Sequence, residues 1–447
     1  MAAALITSGA AFGQGGDAIL DLLTKKGVIT QREANETREQ LDAQNAQTVE
    51  AYNKVKVSSW VNSLQFYGDG RLRYEWRSGK GNAGNASGIG IATGPQDHAD
   101  LDRFRYRFRV GVKGELADNF SYGLRLETAT KGNSANVTMG GQGLSGGPFP
   151  KTGNDAIALG QFWAQYKYSD WLTLVGGKME NPFITSAMVW DGDLSPEGFA
   201  QKLKLNTDKV DWFLTLGEFT YNNTVNQNIF RGAAAGGNDS WLLGIQGGGK
   251  VKFDKDLSLT LAPTFYVYSN PNKTAGVFKP TLSGGNNTGI DDLAVVVVPV
   301  ELAFPVPGLH VPGKGCGEFV VNTSAKQRAD AALLSGYENQ DMAYQFGASI
   351  GSSKKKHDWL VKAYWPHTEL FALDPNLVDS DLFDGRLNMQ GAVTSAQYLL
   401  TDFLTLGVTY ANAHAINASL PVLSGTGDLK GNLRNYNLFQ ADLNWKF

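Results

Sequence analysis

The sequence predicts an all-β fold, a transmembrane antiparallel β-barrel of about sixteen strands, preceded by a short N-terminal α-helical segment. Three observations support this prediction. From about residue 64 onwards apolar and polar residues alternate with a period of two, short and long connections follow one another in turn, and the last run ends in Phe447. A period of two predicts strands with one apolar and one polar face. Connections sorted by length are typical of membrane barrels.

Composition narrows the class of protein. The 447 residues include 53 glycines and 11% aromatic residues, and the formal net charge is only −3. Such a chain folds, and it lacks the basic character of a protein that binds nucleic acid. The single cysteine, Cys316, excludes an internal disulfide and a zinc cluster of cysteines. Because no run of about 18 apolar residues occurs, the sequence predicts no transmembrane helix.

The N-terminus has two predicted parts. Residues 1–13 are interpreted as a signal-peptide remnant, because an apolar run ends in small residues where signal peptidase cleaves; the start of a buried helix is the alternative. Residues 14–58 are predicted to form a periplasmic helical segment, in which Gly27 ends a first helix and Thr30 and Glu33 have capping-box spacing. A weak heptad pattern in the second helix fits either a trimeric coiled coil or a solvated helix.

The barrel is predicted over residues 59–447. In the run 102–116, apolar residues at even positions alternate with four arginines at odd positions, which indicates a strand that is half buried. The predicted strands cover 64–77, 102–116, 120–130, 156–168, 171–178, 198–206, 210–221, 240–254, 257–268, 292–304, 316–326, 341–351, 358–369, 386–400, 403–412 and 434–447. Their number is even, as is usual for bacterial membrane barrels.

Connection lengths place the two ends of the barrel. Tight connections follow the even strands, at 117–120, 169–171, 206–209, 254–256, 352–357 and 401–403. Long connections rich in Gly, Asn and Ser follow the odd strands, at 78–101, 131–155, 222–239, 269–291 and 413–433. Barrels of the outer membrane have short periplasmic turns and long external loops. The strand register between 299 and 317 stays open, because four prolines interrupt the pattern there.

Three motifs resemble a known family. They are the segments 17–30 (DAILDLLTKKGVIT), 177–183 (GKMENPF) and 189–198 (VWDGDLSPEG), which are similar to the Putative porin family of Gram-negative bacteria. The resemblance implies a sixteen-strand trimeric channel in the outer membrane, reminiscent of phosphate-selective porins. No run of lysines in the central loop matches a dedicated phosphate site. The terminal Phe447 also resembles the signature that the barrel-assembly machinery recognises.

A row of basic residues is predicted to line the pore. Its members lie on the polar faces of three neighbouring strands: Arg71, Arg73, Arg103, Arg105, Arg107, Arg109 and Arg125. Because arginines on the lipid face are costly, these side chains should face water. Several are expected to stay unpaired and attract anions. The alternative is that carboxylates of the same strands, Asp69, Glu75, Glu115 and Glu127, pair with them.

An acidic loop is predicted to lie opposite the row. The resemblance to trimeric porins implies that the third external loop, near 179–197, folds inward and narrows the channel. Its acidic residues Asp191, Asp193 and Glu197 would then face the arginines. The alternative is an external loop tip that binds a divalent cation, for which two aspartates supply too few ligands by themselves.

The expected function is passive diffusion of small hydrophilic solutes and ions through a water-filled channel, with an anion preference. The alternatives are a structural barrel that anchors the membrane to other envelope layers, an outer-membrane enzyme, and a soluble all-β lectin or propeller. The five histidines form no catalytic arrangement with a Ser or Cys nucleophile. No cofactor, metal or nucleic acid is expected. The expected partners are outer-membrane lipid and lipopolysaccharide, the assembly machinery and two further copies of the chain.

Overall fold

The fold is a closed antiparallel barrel, seen here in a computed structural model. The structure describes residues 23–26, 30, 33–35, 37, 58–81, 98–128, 134–140, 156–222, 240–269, 290–422, 427–429 and 432–447. Within these residues, sixteen strands follow one another around the barrel, and the last pairs with the first. The predicted fold class is therefore confirmed.

The strands are numbered here in chain order. They are β1 Gln65–Gly81, β2 His98–Glu115, β3 Phe120–Thr128, β4 Ile157–Lys167, β5 Leu172–Lys178, β6 Glu197–Asn206, β7 Val210–Asn222, β8 Ser240–Lys252, β9 Ser258–Leu261 with Thr264–Ser269, β10 Ala294–Pro305, β11 Pro312–Asn322, β12 Met342–Gly351, β13 Trp359–Thr368, β14 Met389–Leu399, β15 Leu404–Ala415 and β16 Leu433–Lys446. A two-residue strand, Val137–Thr138, pairs with β2. A short helix spans Ala325–Ala331, and a 3-10 turn spans Phe383–Gly385.

The proline-rich region resolves into a regular hairpin. Strands β10 and β11 pair continuously from Val295↔Asn322 to Pro305↔Pro312. The predicted strand 316–326 was wrong by four residues at each end. The observed strand begins earlier, at Pro312, and it ends at Asn322 because the chain enters a helix at Ala325. Pro299 lies inside β10, opposite the interruption of β9 at 262–263. The ladder loses hydrogen bonds at this point, but the strands keep the same register on both sides of it. A proline inside a strand removes one ladder donor.

Connection lengths sort by end, as predicted. The connections after even-numbered strands are short: the shortest is 207–209 and the longest is 352–358. The connections after odd-numbered strands are long: the shortest is 82–97 and the longest is 129–156. All long connections therefore leave the barrel at one end. Three of them, 179–196, 323–341 and 369–388, lie wholly within the described residues and contain buried side chains.

The chain divides into two compact units, one of which combines residues 1–66 with 114–117. In that unit, Thr30 N donates to Glu33 Oε2 at 2.7 Å, and Glu33 N donates to Thr30 Oγ1 at 3.3 Å. These reciprocal bonds form the predicted capping box. The signal-peptide remnant 1–13 and most of the helical segment 14–58, including its heptad pattern, lie outside the described residues. None of the helices in the described part of the chain has the length and apolar character needed to cross a membrane.

Candidate functional site

The two faces of the barrel wall differ in chemistry. On the outer face, large apolar side chains such as Phe104, Phe162 and Phe346 are each 60% exposed. On β1, the buried residues Arg73, Glu75 and Arg77 alternate with residues that point outward. Because successive side chains of a strand point to opposite faces, the charged residues line the interior.

The upper part of the charged wall is centred on Glu75 and Arg77, whose side chains are both fully buried. Arg77 donates to Asp384 and Asp381, each at 2.8 Å. Glu75 accepts hydrogen bonds from Arg103 at 2.8 Å and from Gln440, also at 2.8 Å. A buried ion cluster is stable only when each charge has partners, and here the partners come from widely separated parts of the chain.

The arginines nearer the short turns pair within the wall. Arg107 and Arg109 both donate to Asp69, at 2.9 and 2.7 Å. Their other contact is Asp193, at 3.5 and 3.6 Å. Arg125 pairs with Glu127 at 2.9 Å.

The structure corrects the expectation that several arginines of the row stay unpaired. The other three members also have carboxylates within 4.0 Å, as Arg71 and Arg73 contact Asp442 and Arg105 contacts Glu75. Each of the seven arginines of the row therefore has a carboxylate within 4.0 Å, and several of these carboxylates are shared between two arginines. The alternative based on Asp69, Glu75 and Glu127 describes part of this pairing. Sequence reasoning missed Asp442 of β16 and two residues of the long connections, Asp381, which pairs with Arg73, and Asp428, which pairs with Arg103.

The connection 179–196 lies inside the barrel against the wall opposite the arginines. The ring of Phe183 packs edge-on against Tyr266 and Phe219, with centroids 5.3 and 6.1 Å apart. Gly244 provides the space, because a Cβ there would come within 2.5 Å of the Phe183 ring. Gln246 exchanges two hydrogen bonds of 2.9 Å with the backbone of Ile184. Rings and amides thus hold this loop to β7, β8 and β9.

The three acidic residues of the predicted constriction have different surroundings. Asp193 reaches Arg107 and Arg109, whereas Asp191 is buried and its amide donates to Leu377 O at 2.6 Å. Glu197 is corrected: it is the first residue of β6, its side chain is 64% exposed, and it pairs with Lys178 at 3.1 Å. By strand alternation it shares the outer face with Phe199. It therefore does not face the arginine row.

A second inward connection, 369–388, was missed by the sequence reasoning. Its buried apolar residues are Leu370, Phe371, Ala372, Leu373, Val378, Leu382, Phe383 and Leu387. It carries Asp381 and Asp384 to the arginines of β1, and it contacts the first loop through Asp379 N and Ala187 O at 3.0 Å. Loops have no periodic pattern that reveals where they fold, which explains the miss.

The pKa values of the aspartates near the contact between the two loops are shifted in opposite directions. Burial, together with Asp379 and Asp193 nearby, raises the pKa of Asp191 to about 9. Burial and the neighbouring Asp381 raise the pKa of Asp379 to about 7. Arg73 and Arg77 hold the pKa of Asp381 far below its usual range despite burial. At neutral pH, Asp191 is therefore protonated while Asp381 is ionised.

The cation-binding alternative has no support in the described part of the chain. There, no three His, Cys, Asp or Glu side chains come together in a way that could hold a metal ion. Asp193 is instead engaged by arginines and by the amide of Ala135 at 3.3 Å.

Comparisons with known proteins give one family match and matches to solved structures. A family model described as Putative porin matches residues 28–276, more than half of the chain. The high-pH structure of Pseudomonas putida OprB is 13% identical, with a TM-score of 0.48, and the match covers 86% of this chain and 94% of that chain. A mutant of the Rh. blastica porin is 10% identical, with a TM-score of 0.39, covering 86% of this chain and all of that one. No curated protein sequence matches the chain.

Proposed function

The chain belongs to the Putative porin family, whose members are outer-membrane channels, and from this premise we propose that it is a narrow passive-diffusion channel for small hydrophilic solutes and ions. The observation that carries the proposal is the charged interior wall faced by two inward loops. A closed barrel with a polar interior conducts water and solutes. Solutes pass unchanged, without a catalytic step.

Size and orientation should select the solutes more than net charge does. Arg107 and Arg109 lie on one side of the passage and Asp193 on the other, so a field crosses the channel. Opposed charges favour polar solutes over apolar ones. Because each arginine of the row has a carboxylate within 4.0 Å, we expect the row to contribute little to any anion preference.

The test is electrical recording of the full chain, purified in detergent and reconstituted in planar bilayers. The expected result is stepwise conductance, with a reversal potential under a KCl gradient that is only weakly selective. Protein that shifts on gels when heated, and is therefore folded, but gives no openings would sink the open channel. A barrel that is plugged by its two loops and serves as a structural anchor would then replace it.

We further propose that three copies assemble. On the outer face near the external end, Gln390 bonds to His367 at 2.9 Å and to His414 at 3.2 Å, and Asn412 donates to Asn437 at 2.7 Å. Polar groups on a lipid-facing surface are costly, and a neighbouring copy would cover them. Light scattering of the detergent complex should give the mass of three chains; a single-chain mass would contradict assembly.

Two further assignments complete the proposal. The short-turn end faces the periplasm, where the N-terminal helical segment would lie, and the long loops would meet lipopolysaccharide outside. Phe447, which directly follows the last strand and is 58% exposed, would be the residue that the assembly machinery recognises. Protease added to intact cells should cut the long loops and spare the N-terminal segment; the reverse pattern would invert the orientation.

A further inference from the structure

A cavity lies beside loop 179–196, toward the short-turn end of the barrel. Its volume is about 240 Å³, and side chains from β1, β2, β4 and β6 line it: Tyr67, Lys113, Gln161, Trp163, Gln165 and Lys202. Met179 and Glu180 of the loop complete the lining. A solute that passes the loop contacts would meet this cavity next.

The two lysines differ from the arginine row in one respect. No ion pair among the described residues includes Lys113 or Lys202, although both line the same cavity. Lys113 instead lies over the ring of Tyr67, with 5.2 Å between Nζ and the ring centroid. Glu180 is the one acidic side chain of the lining. The cavity therefore carries a net positive charge that protein carboxylates do not cancel.

The rest of the lining suits a flat apolar group. Trp163 lies over Gly123, where a Cβ would come within 2.5 Å of the ring, so the ring is held flat against the wall. Val175 and Met179 are buried beside it. Gln161 is 3% exposed and its amide reaches Ser195 Oγ at 3.4 Å, which links this wall to the loop. Apolar walls with a few placed polar groups are typical of small-molecule sites.

We propose that this cavity is a binding subsite for small organic carboxylates, in which Lys113 and Lys202 hold the carboxylate and Trp163 packs against the apolar body. The proposal deepens the channel function and rests on it. An unpaired ammonium forms a charge-assisted hydrogen bond with a carboxylate. The lysines of the cavity, and not the arginine row, would then set the preference for anions.

The experiment uses benzoate as probe, with benzamide as its uncharged counterpart and acetate as its counterpart without a ring. Each is added to reconstituted channels, and the concentration that halves the current is measured. Benzoate is expected to act at the lowest concentration. Equal half-blocking concentrations for benzoate and benzamide would contradict the role of the lysines. Equal half-blocking concentrations for benzoate and acetate would contradict the role of Trp163.

Variants locate the effect in the cavity. Lys113→Gln and Lys202→Gln should each raise the half-blocking concentration of benzoate about tenfold, the loss expected for one charge-assisted bond. Lys362→Gln is the matched control, because Lys362 lies on β13, outside the cavity. Glu180→Gln should lower the concentration. If Lys362→Gln raises the half-blocking concentration equally, the effect comes from the overall charge of the barrel interior, and the subsite proposal is wrong.

Calorimetry separates this proposal from the channel itself. Folded protein in detergent is titrated with benzoate, whether or not it conducts. Binding that Lys202→Gln weakens supports the subsite even if no openings are recorded. Conducting channels that bind no benzoate would overturn the subsite and leave the channel intact.

Discussion

The two inward loops reach the interior by different physical means. Loop 179–196 is held by rings and amides, with Phe183 between Phe219 and Tyr266. Loop 369–388 presents Asp381 and Asp384 to the buried Arg77. The apolar contact tolerates small shifts, whereas the ionic one fixes each atom, because a buried charge without its partner is costly. The two loops also contact each other, because Asp379 N donates to Ala187 O at 3.0 Å and Asp191 N donates to Leu377 O at 2.6 Å.

The largest effect is expected for Arg77→Met, which removes the arginine nearest to the buried Asp384 and one of the arginines around the buried Glu75. Removing one partner of a buried ion pair costs about 3–5 kcal/mol. The unfolding midpoint in urea should fall and the single-channel conductance should rise, because loop 369–388 is released. Lys80→Met, an exposed change on the same strand, is the control. If Arg77→Met leaves both quantities unchanged, the ionic attachment of the loop is wrong.

A somewhat smaller effect is expected for Phe183→Ala. Truncating a buried phenylalanine costs about 3 kcal/mol, and loop 179–196 should leave its wall, raising conductance. Ile184→Ala is the control, because Ile184 is 46% exposed. Equal conductance changes in both variants would contradict the role assigned to the Phe183 ring.

The pH dependence tests the contact between the loops. Because the pKa of Asp191 is raised to about 9, the folded protein binds this proton more tightly than the unfolded chain does. Its contribution to stability therefore falls as the pH rises toward 9. Between pH 7 and 10, ionised Asp191 should repel Asp379 and Asp193, raising conductance and shifting selectivity toward cations. Asp191→Asn should lose this response; an unchanged pH profile would exclude Asp191 as its source.

The smallest effect is expected on ion selectivity, from substitutions of Asp193 and Glu197. Asp193→Asn removes one carboxylate from Arg107 and Arg109, which keep Asp69, and should shift the chloride-to-potassium permeability ratio about twofold toward anions, as expected for a partly exposed ion pair. Glu197→Gln should leave the ratio unchanged, because Glu197 pairs with Lys178 away from the row. The same shift in both variants would mean that overall charge, and not position, controls selectivity.

The sequence predicted the strands closely and the interior only in part. All sixteen predicted strands start within four residues of the observed ones, because alternation and turn residues are local signals. The difference reaches four residues at β2, which begins at His98, and at β11, the strand after the prolines. The arginine row was found from the same alternation. Its pairing was found only in part, because Glu127 lies two residues from Arg125, whereas Asp381 and Asp442 lie more than 300 residues from Arg73.

What the sequence by itself determined is the alternation of faces, the strand number and the sorting of connections, since each follows from the period of a strand and the length of a turn. Only the tertiary structure decided which charges cancel. Asp381 and Asp442 meet Arg73 from more than 300 residues away, while Lys113 and Lys202 form no ion pair with any residue that the structure describes. Pairing depends on distances in space between residues of different strands and loops, and no local pattern encodes these distances.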